Sequence, residues 1–295
     1  MTRFLNLLVK EIAGALLLVI GVTAFLFAVF NLMPGSFLGK GEGAAAYIEL
    51  LKRLVSFRFG TSVVSGRDIG ALVFPAFRNT LVLTAGAISL SVFVSVPIGI
   101  FSSSRGFRGY SWPFVIFSYV MSCIPVFYLG YLSLYLVSRY SGFLPIHYPT
   151  GPHSGASGRG APFVSYALPI LVLGLGNDSI SEIVRLISIE LGRVTGSDYA
   201  LAAKARGESV LLASVSEGII IPLVSIVFSK VPFLIGGAVI VEHVFNWPGM
   251  GRLAFQSTLD RDLPVLIVIA FLSVLLVRAG MLLKECILFY FRPRE

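Results

Sequence analysis

Long apolar runs separated by polar segments decide what this chain can fold into. Ile12–Leu32 is interrupted only by Thr23 and Asn31, and about 20 such residues in helical form cross the hydrocarbon core of a bilayer. Thr80–Ser102, Phe114–Val137, Phe163–Ile189, Val210–Val241 and Pro264–Leu283 follow. Continuous rather than alternating apolarity selects helices over a membrane β-barrel. The expected fold is all-α: a polytopic membrane protein with six transmembrane helices in one domain over residues 1–295. Mean hydropathy of +0.88 and a charged share of 13% exclude an ordinary soluble domain, which carries about twice as much charge. The first run is too long for the apolar core of a secretory signal and is expected to be retained.

The polar segments carry little catalytic chemistry. The net charge of +8 fits anionic lipid head groups, and no motif points to nucleic acid. Cys123 and Cys286 lie in apolar runs and are expected to be buried thiols. His147 and His153 have no Cys or carboxylate at ligand spacing, so no metal site is expected. Ser154 and its glycines lack the strand–turn–helix and acid partner of a nucleophile elbow. No G-x-x-x-x-G-K-[ST] phosphate loop occurs, which rules out ATP hydrolysis by that route.

Charge inside the spans is more telling, because an ionised group there must face a bundle interior or water. Asp178, Glu182 and Arg185 are spaced by one and two helical turns and are expected on one face of the fourth span. Lys230 lies near the middle of the fifth span, with two readings open. It forms a packing ion pair with Asp178 or Glu182, or it lines a path and attracts an anionic solute. Pro125 is expected to kink the third span. Ala44–Val55 places Tyr47, Leu50, Leu51 and Leu54 on one side, as a helix lying along the membrane surface would.

Between the fourth and fifth runs stands Asp198-Tyr199-Ala200-Leu201-Ala202-Ala203-Lys204-Ala205-Arg206-Gly207. Asp198 suits an N-cap and Gly207 a C-terminal stop, which predicts a short helix of about two turns. Further on, Gly236–Glu242 leads into Val244-Phe245-Asn246-Trp247-Pro248-Gly249-Met250-Gly251-Arg252-Leu253. Gly236 and Gly237 suit a close helix–helix contact, Trp247 a membrane–water interface, and Pro248-Gly249 a stiff turn.

These stretches resemble, in order, the permeases of ATP-binding-cassette importers of the dipeptide, oligopeptide or nickel type, specifically the first of the two unlike permeases. The decapeptide resembles the family's cytoplasmic coupling loop. The W-P-G-x-G-R stretch is the most specific match. Phe59–Ser62 with Gly66-Arg67, Leu168-Pro169, Leu173–Gly176, and Arg261-Asp262 before Pro264 add to it. The resemblance implies a pore-forming subunit in the inner membrane with both termini cytoplasmic. It binds no cofactor itself: ATP and Mg belong to two cytoplasmic ATPase subunits. A second homologous permease and an extracytoplasmic solute-binding protein complete the assembly. The ATPases would grip Asp198, Tyr199, Ala202, Ala203, Ala205, Arg206 and Gly207. Lys230, Asp178, Glu182 and Arg185 are candidates for the path. Trp247, Pro248, Gly249, Gly251 and Arg252 are candidates for an outer gate, with a purely structural loop as the alternative. Lysines and arginines on the two sides nearly balance, so the resemblance fixes orientation more firmly than charge does. The chain departs from the family in the short segment from Glu208 to Pro222 and in having Lys230. A stand-alone secondary transporter or channel, with Lys230, Asp178 and Glu182 as an ion relay, is the competing reading. The cargo is left open among peptides, nickel chelates, glutathione and opines.

Overall fold

A computed structural model describes residues 2–32, 43–103, 108–140, 161–176, 178–207 and 219–291. Arg105, both loop histidines, Asn177, Glu208–Gly218, Arg292 and Arg294 fall outside the described residues. The described residues are helical throughout: α1 (Thr2–Leu32), α2 (Gly43–Val55), α3 (Ile69–Ser103), α4 (Arg108–Cys123), α5 (Val126–Arg139), α6 (Ala161–Leu175), α7 (Ser179–Thr195), α8 (Asp198–Ala205), α9 (Ile220–Ser229), α10 (Val231–Val244), α11 (Met250–Leu259) and α12 (Leu263–Phe291). A single isolated bridge, Thr61 to Asp68, is the only extended pairing among them.

Among the described residues fewer spans can be counted than the six expected, and the start of the fifth run lies outside them. Three described helices are long and apolar enough to cross alone, in α1, α3 and α12, and up to five spans result if each bent pair counts once. The third run is a sharp turn, not a kinked helix: α4 and α5 meet at 104°. Pro125 stands at the break with φ −59° and ψ 139°. Proline pushes the preceding residue off helical geometry and cannot donate the next helical hydrogen bond. The fourth run bends by 53° between α6 and α7. Described residues of the fifth run divide at Lys230, which ends α9 and precedes α10, and Pro232 prevents one continuous ladder there. The second helix begins at Ile69, well before Thr80, because Asp68 caps it: the Ala71 N–H donates to Asp68 Oδ1 at 2.8 Å.

The chain divides into two compact units. The first contains residues 1–81 and 248–282. Its core joins Val19 of α1, Leu54 of α2, Ile69 and Val73 of α3 and the Val265–Leu272 face of α12. The apolar side read from Tyr47, Leu50, Leu51 and Leu54 exists, and α2 is seated by it on this core. Leu54 is buried, Leu50 and Leu51 pack beside it, and the Tyr47 hydroxyl reaches the Ile20 carbonyl at 3.0 Å.

The second unit contains residues 82–247 and 283–295. One cluster sets Leu83 and Ala87 of α3 against Val172 and Leu173 of α6 and Ala238 and Val241 of α10. Another sets Ile183, Ile187 and Leu191 of α7 against Val92, Val96 and Ile100 of α3 and Leu223 and Ile226 of α9. Helices approach closely here at Gly99 and Gly174. A Cβ on Gly99 would lie 2.7 Å from the Ile187 Cβ, and one on Gly174 would lie 3.0 Å from the Ala87 carbonyl oxygen. At Gly236 a Cβ would meet nothing within 4 Å among the described residues. Nor are both cysteines buried: Cys123 is exposed and Cys286 half-buried. Cys123 is the last residue of α4, where the turn at Pro125 leaves it outside the packed interior.

Candidate functional site

Two of the four path candidates come together. Lys230, at the seam between α9 and α10, forms an ion pair with Glu182 on the first turn of α7. The lysine side chain is 11% exposed and the glutamate 39%, so the ammonium is the more deeply buried partner. The ion pair left open by the sequence is formed, and Glu182 rather than Asp178 is the partner. Asp178 lies before α7 in the left-handed region, φ 54°, a conformation that Asp tolerates better than most residues. It therefore does not share a helical face with Glu182 and Arg185, and its carboxylate is exposed. Arg185 is also exposed.

Hydroxyls tie α7 to its neighbours. Ser122 of α4 donates to Ser181 at 2.6 Å, and Ser102 of α3 pairs with Ser188 at 2.6 Å. Such pairs satisfy polar groups internally, which a helix in lipid requires.

At its far end α7 passes through Gly196 and Ser197 into α8. Ser197, with φ −90° and ψ 162°, occupies the N-cap position, and Asp198 is the first helical residue rather than the cap. In that first turn a carboxylate still complements the helix dipole. Gly207 adopts φ +74° just after the helix, as the stop signal anticipates. Of the coupling candidates, Asp198, Ala202, Ala205, Arg206 and Gly207 are exposed. Ala203 is fully buried with Ala200 and is not available to a partner; the spacing of these two alanines turns their methyl groups inward. Leu201, not among the contact residues expected from the sequence, is 66% exposed. For Tyr199 only the backbone, inside α8, is described.

The W-P-G-x-G-R stretch is anchored rather than loose. Trp247 is buried, not displayed at a membrane interface. Its ring packs edge-on against Tyr166 with centroids 4.9 Å apart, and its backbone N–H donates to the Glu242 carbonyl at 2.8 Å. In the first unit, Asn79 Nδ2 donates to the Pro248 carbonyl at 2.8 Å. The Met250 N–H donates to Thr80 Oγ1, also at 2.8 Å. Gly249 precedes α11, Gly251 is buried inside it, and Arg252 is half-buried. The backbone of the stretch is thus held by α3. Replacing Thr80 with valine removes the acceptor of a buried N–H, so a loss of about 1–3 kcal/mol is expected. A lower thermal midpoint of the purified protein would register it.

Two charged contacts were not read from the sequence. Asp262 accepts hydrogen bonds from the Ser62 hydroxyl and the Val63 N–H, the latter at 3.4 Å, which fastens the turn after α2 to the start of α12. Arg278 of α12 meets Glu11 of α1, Nη1 to Oε2 at 3.2 Å, and its Nη2 meets the Gly14 carbonyl at 3.2 Å. Opposite charges isolated in two apolar runs are the signal that would have found the second pair. Among the described residues no group of His, Cys, Asp and Glu is arranged to hold a metal.

These features define the class: a helical, multi-pass membrane protein. Residues 95–294 match the family model described as binding-protein-dependent transport system inner membrane component, and the chain belongs to that family. It is 28% identical over 258 residues to the oligopeptide transport system permease protein AppB of Bacillus subtilis, covering 84% of this chain and 79% of that protein. The glutathione transport system permease protein GsiC of Salmonella choleraesuis is 30% identical over 291 residues, with 89% of each chain covered. The metal-staphylopine import system permease protein CntB of Staphylococcus aureus is 27% identical over 222 residues, covering 75% of this chain and 67% of that one. The resemblance to dipeptide, oligopeptide and nickel importer permeases therefore holds, as does residence in the inner membrane.

Proposed function

We propose that the chain is one pore-forming subunit of an ATP-driven importer for peptides or a related small solute, moved by separate ATPase subunits through α8. The observation that carries this reading is the form of α8. It follows α7 after two residues, buries Ala200 and Ala203, and has Leu201, Ala202, Ala205 and Arg206 exposed. An exposed leucine among small residues offers an apolar anchor of the kind that helix-in-groove docking uses. In this reading both termini and α8 are cytoplasmic. ATP and Mg sit on two ATPase subunits, a second permease completes the path, and a binding protein delivers cargo on the outer side. Glutathione, opines and nickel chelates stay alongside peptides as cargo classes. The chain acts as one permease domain.

Leu201→Asp is the direct test. It should release the ATPase subunits on co-purification and lower ATP-dependent uptake by about tenfold or more, as expected for loss of a central apolar anchor. The amount of permease should stay unchanged, since Leu201 is 66% exposed. Uptake by the purified chain without any ATPase would refute the reading. The competing ion relay is less well supported, because Asp178 makes no side-chain hydrogen bond or ion pair among the described residues and the relay lacks its third member.

A further inference from the structure

A cavity of about 490 Å³ is bounded by α3, α4 and α7. Ser102 and Ser188 form one edge, Arg185 stands at it, and Trp112 and Tyr119 of α4 flank it. The two serines are engaged with each other at 2.6 Å. Arg185, by contrast, makes no hydrogen bond or ion pair among the described residues. A guanidinium on a helix of a membrane-embedded unit is costly unless it meets water or an anion. Its planar fork of donors matches a carboxylate in two parallel hydrogen bonds. The aromatic walls add apolar area and a surface on which a small side chain can rest.

The geometry points to Arg185 as the residue that receives a carboxylate of the transported solute in this cavity, while Lys230 is consumed by Glu182. This rests on the importer reading above and sharpens it. The cavity selects for an oxyanion joined to a short, partly apolar body, such as the C-terminal end of a small peptide. A membrane phospholipid presents similar chemistry through its phosphate, so the test has to separate the two sources.

Trp112 lines the cavity and reports on it. The full-length chain, with whatever subunits co-purify, is placed in phosphatidylcholine nanodiscs and titrated with trialanine or trialanine amide while tryptophan emission is followed. A response that vanishes in Trp112→Phe belongs to the cavity. The acid should give that response at about tenfold lower concentration than the amide, the usual scale for a charge-assisted hydrogen-bond pair. Arg185→Gln should erase the difference between acid and amide, and Arg185→Lys should keep part of it. Four results overturn the assignment: no Trp112-dependent response, equal responses to acid and amide, an acid preference that survives Arg185→Gln, or loss of the second permease in that variant. A trialanine response abolished by adding phosphatidylglycerol to the discs assigns Arg185 to lipid phosphate and equally overturns it. Failure of the importer reading shows separately, as no ATP-dependent uptake by the same preparation, whatever the emission does.

Discussion

Glu11→Gln should lower the folded yield and thermal midpoint of the purified protein more than any surface change in the chain. Glu11 and the Arg278 guanidinium are each only 22% exposed. Removing the carboxylate leaves the arginine with the Gly14 carbonyl as its remaining described acceptor. Breaking a buried ion pair from one side typically costs about 3–5 kcal/mol. Arg278→Met should cost a similar amount by stranding Glu11. The double variant Glu11→Leu with Arg278→Met should regain most of the loss, because it removes both desolvated charges together. If the double variant were as unstable as the singles, the pair would not be the source of the effect.

The second large effect is an asymmetry at Lys230. Glu182→Gln removes the carboxylate paired with an ammonium that is 11% exposed, whereas Lys230→Met takes the cation away from a carboxylate that is 39% exposed and still reaches solvent. Losing the charge partner of an ammonium at membrane depth costs up to about 2.5–3.5 kcal/mol. Glu182→Gln should therefore destabilise by up to that much, and Lys230→Met by clearly less. Thermal unfolding of the two single variants and the double in one detergent would give the coupling directly. Equal losses in the two singles would argue that the carboxylate depends on the pair no less than the ammonium does. A pure shift in solute preference, with no change in stability, would return Lys230 to the path.

The helical class was legible because runs of about 20 apolar residues leave few alternatives in lipid. The breaks were less so. Pro125 was visible, but whether a proline kinks a helix or ends it depends on what satisfies the freed carbonyls, which is a matter of neighbours. Lys230 with Pro232 was a second such signal, and the seam lies there. Its ion pair with Glu182 was half-legible: both residues stood out as intramembrane charge, while the choice of Glu182 over Asp178 followed from the left-handed backbone of Asp178, which keeps it off α7. Trp247 misled because its usual preference for interfaces gave way to a ring contact with Tyr166, some 80 residues earlier in the chain. The helix at Asp198–Ala205 was read to within one residue of its cap. The inward turn of Ala203 and the outward turn of Leu201 follow from tertiary seating, which local spacing cannot fix.

The two alanines under α8 set how stiffly that segment is held. Burying a pair of methyl groups contributes only about 1–2 kcal/mol, so these two residues hold the elbow between α7 and α8 lightly. A load applied there re-aims the short helix before it disturbs the tightly packed Ile183–Leu191 face above it. Filling the space beneath Ala200 and Ala203 would stiffen the elbow, and stiffness at that point governs how much of an applied stroke reaches the rest of the molecule.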